Sequence, residues 1–459
     1  MPVSKTKTIW PTRVSWPRRQ EGAAVLPALV GQNSAAPLPY VTGRSRFAIA
    51  PLSLSLDQLL LLIVSALLCF GLVMVQSADL RVRGVNDHWM LAAFSNKNAI
   101  HAGVALLLMA AVWRIDYRWL LGKSMARSPA VWFLLVTVLS LGAVLAVGST
   151  LNGAKRWLMI PIGITKLSVQ PSELAKWGLV IFLAAYTTHM GEKVRSLFRG
   201  FAPMILAMGI VCALIVKEDF GTTALIALVA FCLITMAGTK WWHIGLIIPP
   251  ALAVVYVAVW HSAYRRERLL AFMHPEADPQ GAGYHPLQSL LTIISGGFWG
   301  LGLGNGIQKM GYLPEGNTDF IFSVLCEELG FIGAGMVIGL FVAFVFVGWR
   351  VASRCDNMFG KMIAFGITAT VGLQAAINIA VVTVTVPTKG IALPFISSGG
   401  TGWILTAGAV GLLMAIERHN RLGIVGEQAM EAQGFPVELS PPEATALQAP
   451  ISDVQGGGV

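Results

Sequence analysis

The chain has 459 residues, of which 55% are apolar and only 12% are charged. This composition excludes a water-soluble globular protein, because apolar runs of about 18 residues or more recur along the chain and each can cross a bilayer as a helix. The net charge of +10 lies in loops and the N-terminal tail without interleaved aromatic residues, which favours a role in membrane topology and lipid contact over nucleic-acid binding.

Both ends of the chain lack an apolar pattern. Residues 1–55 are rich in Pro, Ser, Ala and Arg, a composition that predicts a disordered, basic cytoplasmic tail able to touch anionic lipid. Residues 422–459 are acidic and rich in Gly and Pro, which predicts a second disordered tail. Residues 56–421, between the tails, are expected to form a single membrane domain.

Ten apolar runs in this domain predict an all-α, polytopic membrane fold with about ten transmembrane helices. Their approximate bounds are 57–76, 98–115, 130–148, 174–190, 202–216, 222–239, 243–261, 320–349, 360–385 and 401–417. Lys and Arg cluster after runs two, four, eight and ten, so by the positive-inside rule these loops and both termini face the cytoplasm. The opposite side carries the largest loop, residues 262–319, between helices seven and eight.

The outer loop after run three is unexpectedly basic. Its cations are Lys155, Arg156 and Lys166. They are consistent with ordinary solvated charges, but the positive-inside rule disfavours cations there, which favours the interpretation that the loop binds an anion. Trp157 is also consistent with an ordinary aromatic residue at the membrane interface.

The polar residues at the starts of runs four and six have plain structural interpretations. Ser172 follows a proline and is a candidate helix cap. Glu173 and Lys176 are three residues apart and can pair on one helix face inside the membrane. Asp219 precedes run six, where a helix cap competes with a role in a site.

The largest outer loop carries both charged and apolar residues. Arg265 and Arg268 lie near its start, and Gln288 and Ser289 near its middle. Its apolar content argues against disorder and predicts a short helix on or in the membrane surface. The glycine-rich stretch ending at Gly306 lacks the Gly-Lys-Ser/Thr ending of a phosphate-binding loop, so no organic cofactor is expected.

Four acids surround the junction between this loop and run eight. Glu315 and Asp319 precede or meet the apolar run, and Glu327 and Glu328 lie inside it. Carboxylates at or below a membrane surface are costly and predict function. The competing interpretation is that Thr318 or Asp319 merely caps the helix.

The last outer loop completes the set of polar groups. Pro387 and Pro394 break the helical pattern, and irregular backbone at this depth is tolerated where it lines a cavity. Lys389 adds another cation. Such cations suit a pyrophosphate, and a carboxylate among them suits a general base acting on a sugar hydroxyl. A pair of carboxylates would instead suit Mg²⁺ or Mn²⁺ held against a pyrophosphate.

Several longer motifs lie between Asn152 and about Ala415. They are Asn152-Gly-Ala-x-Arg-Trp157, Gln170-Pro-Ser-Glu-Leu-x-Lys176, Asp219-Phe-Gly-Thr222, Gly281-x-Gly-Tyr284, Gln288-Ser289, Gly302-x-Gly-x-x-x-Gln-Lys309, Tyr312-Leu-Pro-Glu315, Thr318-Asp-Phe-Ile-Phe322, Glu327-Glu-Leu-Gly330 and Pro387-Thr-Lys-Gly390. With these motifs the sequence resembles the SEDS family of shape, elongation, division and sporulation proteins. The Pro-Thr-Lys-Gly form favours the division branch of that family over the elongation branch.

The resemblance implies a ten-span peptidoglycan glycosyltransferase of the bacterial inner membrane, located at the division septum. Its members polymerise lipid II and act with a class B penicillin-binding protein and other division proteins. The essential acid of the family corresponds to Asp319, as general base on the acceptor 4-hydroxyl. Arg156, Trp157 and Lys166 would lie beside the donor or its pyrophosphate. The other expected substrate-binding residues are Asp219, Arg265, Arg268, Gln288, Ser289, Glu315 and Lys389.

The sequence departs from the family pattern at three places. Ser398 replaces a tyrosine, His285-Pro286 replaces glutamine and a small or polar residue, and Lys217-Glu218 replaces Gln-Pro.

Two other functions compete with polymerisation. A lipid II flippase would need a polar path through the bundle, for which Lys176, Glu327 and Glu328 are the candidates. A non-catalytic scaffold for division proteins would leave the outer charges unexplained.

Overall fold

The structure is a computed structural model that describes residues 48–49, 52–79, 97–151, 154–162, 165–398 and 400–432. Most of both predicted tails, together with Asn152, lies outside these residues. A short hairpin joins β1 (Ala48–Ile49) to β2 (Leu52–Ser53) just before the first helix.

Twelve α-helices occur in the described part of the chain. They are α1 (Leu56–Asp79), α2 (Lys97–Trp113), α3 (Pro129–Val147), α4 (Pro171–Met190), α5 (Ala202–Ile215), α6 (Phe220–Met236), α7 (Trp241–Trp260), α8 (Ala263–Met273), α9 (Tyr284–Gly296), α10 (Ile321–Ser353), α11 (Met358–Val382) and α12 (Thr401–Ala432).

The all-α, polytopic prediction is confirmed. Each of the ten predicted runs coincides with one helix, and α8 and α9 supply the helical structure expected in the large loop. Six helical segments of the described residues are long and apolar enough to cross a membrane, and α2 and α6 are shorter apolar helices. The chain is therefore a multi-pass membrane protein.

The core is formed by apolar helix faces. On α1, buried Leu60, Val64 and Leu67 recur every three or four residues, the spacing that places side chains on one face of a helix. This helix packs against α10, which packs along α11; α11 in turn contacts α4 and α6. These contacts hold the starts of α4, α6 and α10 in fixed positions around one region of the molecule.

The loop after α3 contains a small antiparallel sheet that the sequence analysis did not predict. Its strands are β3 (Ser149–Leu151), β4 (Ala154–Ile162) and β5 (Thr165–Val169), in the order β3-β4-β5. Leu158 pairs with Val169 and Ile162 with Thr165. The sheet gives Arg156 and Trp157 a regular backbone instead of a flexible loop.

Helix α10 is broken at Gly330, where φ is 66° and ψ is −165°. The backbone of residues 297–302 fills this break. Leu301 N donates to Glu327 O at 2.9 Å, and Gly302 N donates to Glu328 O at 3.0 Å. A side chain at position 330 would place its Cβ 2.4 Å from Gly300 N, so both the dihedral angle and the close approach require glycine.

Candidate active site

A cavity of about 390 Å³ lies where the loops predicted to be on the outer side meet the starts of α4, α6, α10 and α12. The N-terminal end of a helix carries partial positive charge, so several such ends at one cavity favour an anionic ligand. Eight of the predicted site residues line the cavity: Arg156, Trp157, Glu173, Lys176, Asp219, Arg268, Glu315 and Asp319.

The turn before α10 presents Asp319 to this cavity. Glu315 lies at its apex with φ of 53°, a conformation that is strained for a residue with a side chain. Its carbonyl accepts hydrogen bonds from Thr318 N and Phe320 N, at 3.2 and 3.1 Å. The N-cap of α10 is Phe320, and no side chain caps the helix. The interpretation of Thr318 or Asp319 as a helix cap is therefore wrong.

Burial and neighbouring charge raise the pKa of Asp319 to about 7. Burial is the largest cause, followed by repulsion from Glu315 and Asp219, while Arg156 and Arg268 oppose the shift. Among the described residues, no hydrogen bond or ion pair involves the Asp319 carboxylate. A carboxyl group with a pKa near neutrality that is not engaged by the protein is suited to exchange a proton with a ligand.

Asp219 is a helix cap, as the plainer interpretation predicted. Its Oδ1 accepts from Thr222 N at 3.0 Å and its Oδ2 from Thr222 Oγ1 at 2.9 Å. The Arg156 guanidinium lies 3.9 Å from Oδ2. Arg156 Nε donates to the backbone carbonyl of Glu218 at 2.8 Å. The carboxylate of Glu218, one of the departures from the family pattern, accepts from Lys155 N at 2.9 Å. Strand β4 is thereby attached to the start of α6.

A second, basic cavity of about 490 Å³ adjoins the first and shares Arg156, Asp219 and Arg268 with it. Its cationic lining residues are Arg156, Lys217, Arg265, Arg268 and Lys389. The Phe220 ring lies 4.2 Å from Lys389 Nζ and 5.3 Å from the Arg265 guanidinium carbon. Aromatic faces attract cations and so hold these two like charges near each other.

Lys389 has no carboxylate partner among the described residues. Burial, together with repulsion from Arg265 and Arg268, lowers the pKa of Lys389 to about 8. A bound anion would reverse this shift, because an opposite charge favours the ammonium form. The basic cavity is thus suited to a phosphate or diphosphate group.

Glu173 and Lys176 form the predicted pair at the inner end of the first cavity, with 2.8 Å between Oε2 and Nζ. Lys176 also donates to Gln374 Oε1 at 2.8 Å.

The prediction that Ser172 caps α4 is wrong, because Gln170 occupies the N-cap position. Ser172 lies inside the first turn, where it accepts from Gln170 Nε2 at 3.0 Å.

Glu327 and Glu328 lie away from both cavities and bind the loop that fills the break in α10. Glu327 Oε1 accepts from Ile307 N and Gln308 N, at 2.8 and 3.1 Å. Glu328 accepts from Gly304 N at 3.1 Å. It also accepts from Ser77 Oγ and Lys309 Nζ, at 2.7 and 2.6 Å.

Three other predicted residues are not seen at either cavity. The Ser289 hydroxyl hydrogen-bonds Ser323 Oγ at 2.8 Å and Val382 O at 2.6 Å, which are contacts of helix packing. Gln288, the residue before Ser289 in α9, lines neither cavity. Lys166 lies in β5 opposite Pro161, and its side chain is outside the described residues.

The first cavity is also lined by three residues that were not predicted from the sequence: Tyr264, Gln374 and Trp403. Gln374 Nε2 donates to Ala392 O at 2.8 Å, so it supports the loop that follows α11. An amide inside an apolar run was a signal for this role, because a buried polar group requires a hydrogen-bond partner.

The sequence of this chain is similar to those of known proteins. A family model described as "Cell cycle protein", which groups FtsW, RodA and SpoVE, matches residues 57–422. The probable peptidoglycan glycosyltransferase FtsW of Aliivibrio salmonicida is 37% identical over 380 residues, covering 81% of this chain and 91% of that protein. The protein of the same name from Geobacter sulfurreducens is 39% identical over 366 residues, covering 78% of this chain and 94% of its own.

Two solved structures are also similar to this chain. One, described as "Structural coordination of polymerization and crosslinking by a peptidoglycan synthase complex", has a TM-score of 0.63 and 27% identity, covering 79% of this chain and 97% of that chain. The rod shape determining protein RodA of Thermus thermophilus has a TM-score of 0.54 and 24% identity, covering 79% and 96%. The second likeness shows a shared fold.

Proposed function

The chain belongs to the cell cycle protein family of FtsW, RodA and SpoVE, and from this premise we propose that it is a peptidoglycan glycosyltransferase that polymerises lipid II during septal wall synthesis. The observation that carries the proposal is the Asp319 carboxylate, whose pKa is about 7, in a cavity adjoined by a cluster of cations. Acid and cations are the two kinds of group that glycosyl transfer from a lipid diphosphate requires.

In the proposed reaction, Asp319 accepts the proton of the 4-hydroxyl of the acceptor sugar. That oxygen attacks the anomeric carbon of the donor, the bond from this carbon to the diphosphate oxygen breaks, and undecaprenyl diphosphate leaves with inversion. Lys389 and Arg268 neutralise the charge that develops on the leaving diphosphate. A base with a pKa near the working pH is efficient in such a transfer.

A divalent metal ion stays a prediction. The described residues contain no group of three or more His, Cys, Asp or Glu side chains placed to hold one. Mg²⁺ often binds through one or two carboxylates plus substrate phosphates, so in an alternative to general-base catalysis Mg²⁺ or Mn²⁺ would be held by Asp319 and by oxygens of the substrate. The ion would supply further charge neutralisation at the diphosphate.

We also propose a class B penicillin-binding protein as partner and the division septum as location, with both termini in the cytoplasm. The similar structure described as a peptidoglycan synthase complex supports a crosslinking partner. The relatives named FtsW support the division role.

The flippase alternative is not favoured by the polar groups inside the bundle. Glu327 and Glu328 are engaged by backbone N–H groups and by Lys309. Lys176 is engaged by Glu173 and Gln374. Side chains committed to such contacts do not form a path for a sugar headgroup.

The test is polymerisation of lipid II by the purified full chain, with and without its transpeptidase partner, for wild type and Asp319→Asn. Loss of a general base costs about 10²- to 10⁴-fold in rate, so glycan chains should become undetectable or nearly so with the variant. Asp319 does not cap α10, so thermal unfolding should be unchanged. Polymerisation by the variant at the wild-type rate would exclude Asp319 as the base, and an inactive wild type would favour the flippase or scaffold.

A further inference from the structure

Asn378 lies on α11 and is connected directly to the segment that carries the proposed base. Its side chain is buried, with 1% of the residue exposed. Nδ2 donates to Asp319 O at 2.8 Å and to Ile391 O at 2.6 Å. Both hydrogens of the amide group are therefore used on backbone carbonyls of two different segments.

These two segments form two walls of the cavity. The turn of residues 313–320 carries Asp319, and the segment of residues 383–398 carries Lys389 and Gly390. A further bond joins them where Ser398 N donates to Asn317 O at 3.0 Å. The separation of the walls near Asp319 depends on Asn378, because this amide contacts both.

The separation is critical because the Asp319 carboxylate lies directly against the backbone of the second wall. A Cβ atom at Gly390 would be 2.4 Å from Asp319 Oδ2. This contact shields one side of the carboxylate and holds it close to the loop that carries Lys389. If the turn moved away from the loop, the carboxylate would move away from the reacting hydroxyl group, and a misplacement of about 1 Å is costly in rate.

We propose that Asn378 is a positioning residue, whose amide holds the turn against the loop and thereby keeps the Asp319 carboxylate beside Gly390 and facing the cations. This inference rests on the proposed glycosyltransferase function. An amide is needed at this position because an apolar side chain would leave two buried carbonyl groups without donors.

The test compares Asn378→Leu and Asn378→Asp with wild type in lipid II polymerisation at several lipid II concentrations, using the full chain with its partner. Asn378→Leu should reduce kcat by about 100-fold, the cost of a misplacement of about 1 Å, with little change in KM. Asn378→Asp has the same shape but cannot donate to both carbonyl groups, so it should lose kcat in the same way.

The matched control is Thr368→Val on the same helix, since among the described residues the Thr368 hydroxyl bonds only within α11, to Ala364 O at 2.7 Å. It should retain wild-type kcat and KM. The positioning role is overturned if folded Asn378 variants keep the wild-type kcat. It is equally overturned if kcat falls only in step with the amount of folded protein, or if the loss lies in KM and not in kcat.

Failure of the proposed function gives a different result. In that case wild type and Asp319→Asn both fail to make glycan chains, and the positioning role is rejected with the reaction it serves. Wild-type polymerisation that depends on Asp319 but not on Asn378 rejects the positioning role alone.

Discussion

Two sites near the start of α10 each contain an acid and a lysine, and we call them the two acid–lysine sites. One consists of Glu328 and Lys309, and the other of Asp319 and the nearby Lys389, whose neighbour Gly390 lies beside the Asp319 carboxylate. They differ in whether each charge has a partner within the protein. Glu328 is 1% exposed and accepts hydrogen bonds from Lys309 Nζ, Ser77 Oγ and Gly304 N. Asp319 faces a cavity, and its carboxylate has no such partner among the residues that the structure describes. A charge whose burial is compensated by fixed donors serves the fold, whereas an uncompensated charge at a cavity is available to a ligand.

The two lysines show the same difference. Lys309 Nζ lies 2.6 Å from the Glu328 carboxylate with almost no exposed surface. Lys389 contacts an aromatic ring, and its pKa is lowered to about 8. The first lysine completes an internal ion pair, and the second lacks an anion that a substrate can supply. Sequence position alone did not distinguish them, since both follow glycine-rich or proline-rich segments outside the apolar runs.

The largest expected effect is on stability and concerns the Lys309–Glu328 pair. Lys309→Met leaves a buried carboxylate without its cation, and removal of one partner of a buried pair costs about 3–5 kcal/mol. The double variant Lys309→Met/Glu328→Gln removes both charges and should recover most of this loss. The measurement is thermal or denaturant unfolding of the purified protein in detergent, arranged as a double-mutant cycle.

The control for that cycle is Lys193→Gln, because Lys193 is exposed and a surface charge contributes about 1 kcal/mol or less. Additive losses in the double variant would contradict the view that Lys309 and Glu328 act as one structural pair. In that event the difference between the two acid–lysine sites would be one of location only.

The transmembrane helices could be predicted because a spanning helix needs about 20 mainly apolar residues, a local property of the sequence. The ten runs accordingly coincide with helices. The cavity was also partly predictable, since cations in loops predicted to be outer oppose the positive-inside rule, and carboxylates at a membrane surface are costly. Asp319, Arg156 and Arg268 do line one cavity.

The roles of the glutamates could not be predicted because their partners are distant in sequence. Ser77 is 251 residues from Glu328, and no local pattern indicates that contact. The break at Gly330 likewise depends on the approach of residues 297–302. The cap of α4 was misplaced by two residues because Ser172 is a preferred capping residue in general, while the observed N-cap is Gln170.

The second expected effect is on substrate use and concerns Lys389. Lys389→Gln should lower kcat/KM by about 10- to 100-fold, because a hydrogen bond to a charged group contributes about 1.5–3 kcal/mol. Stability should stay near that of wild type, since no ion pair of the protein is broken. Steady-state polymerisation at several lipid II concentrations measures the loss. An unchanged kcat/KM would show that the basic cavity does not bind the diphosphate, and would make Lys389 another structural lysine.

The smallest expected effect concerns the pH dependence of Asp319 and tests whether its uncompensated charge is what makes it reactive. The proposed base must be ionised, so activity should rise as pH increases through about 7, the pKa of Asp319, and should be lost as pH falls below it. Glu315 raises this pKa by repulsion, and Glu315→Gln removes the charge while leaving an oxygen that can accept from Thr318 Oγ1. The acid limb should therefore move to lower pH. An exposed charge is worth about 1 kcal/mol or less, and one pKa unit corresponds to about 1.36 kcal/mol, so the shift should be less than about one pH unit. Polymerisation rates from pH 5 to 9 measure this shift.

Glu276→Gln is the control, because Glu276 is an exposed acid of the large loop that does not line the cavity. If the Glu315 variant leaves the acid limb in place while the wild-type limb lies near pH 7, a group other than Asp319 controls the pH dependence, and the contrast between the two acid–lysine sites no longer explains reactivity.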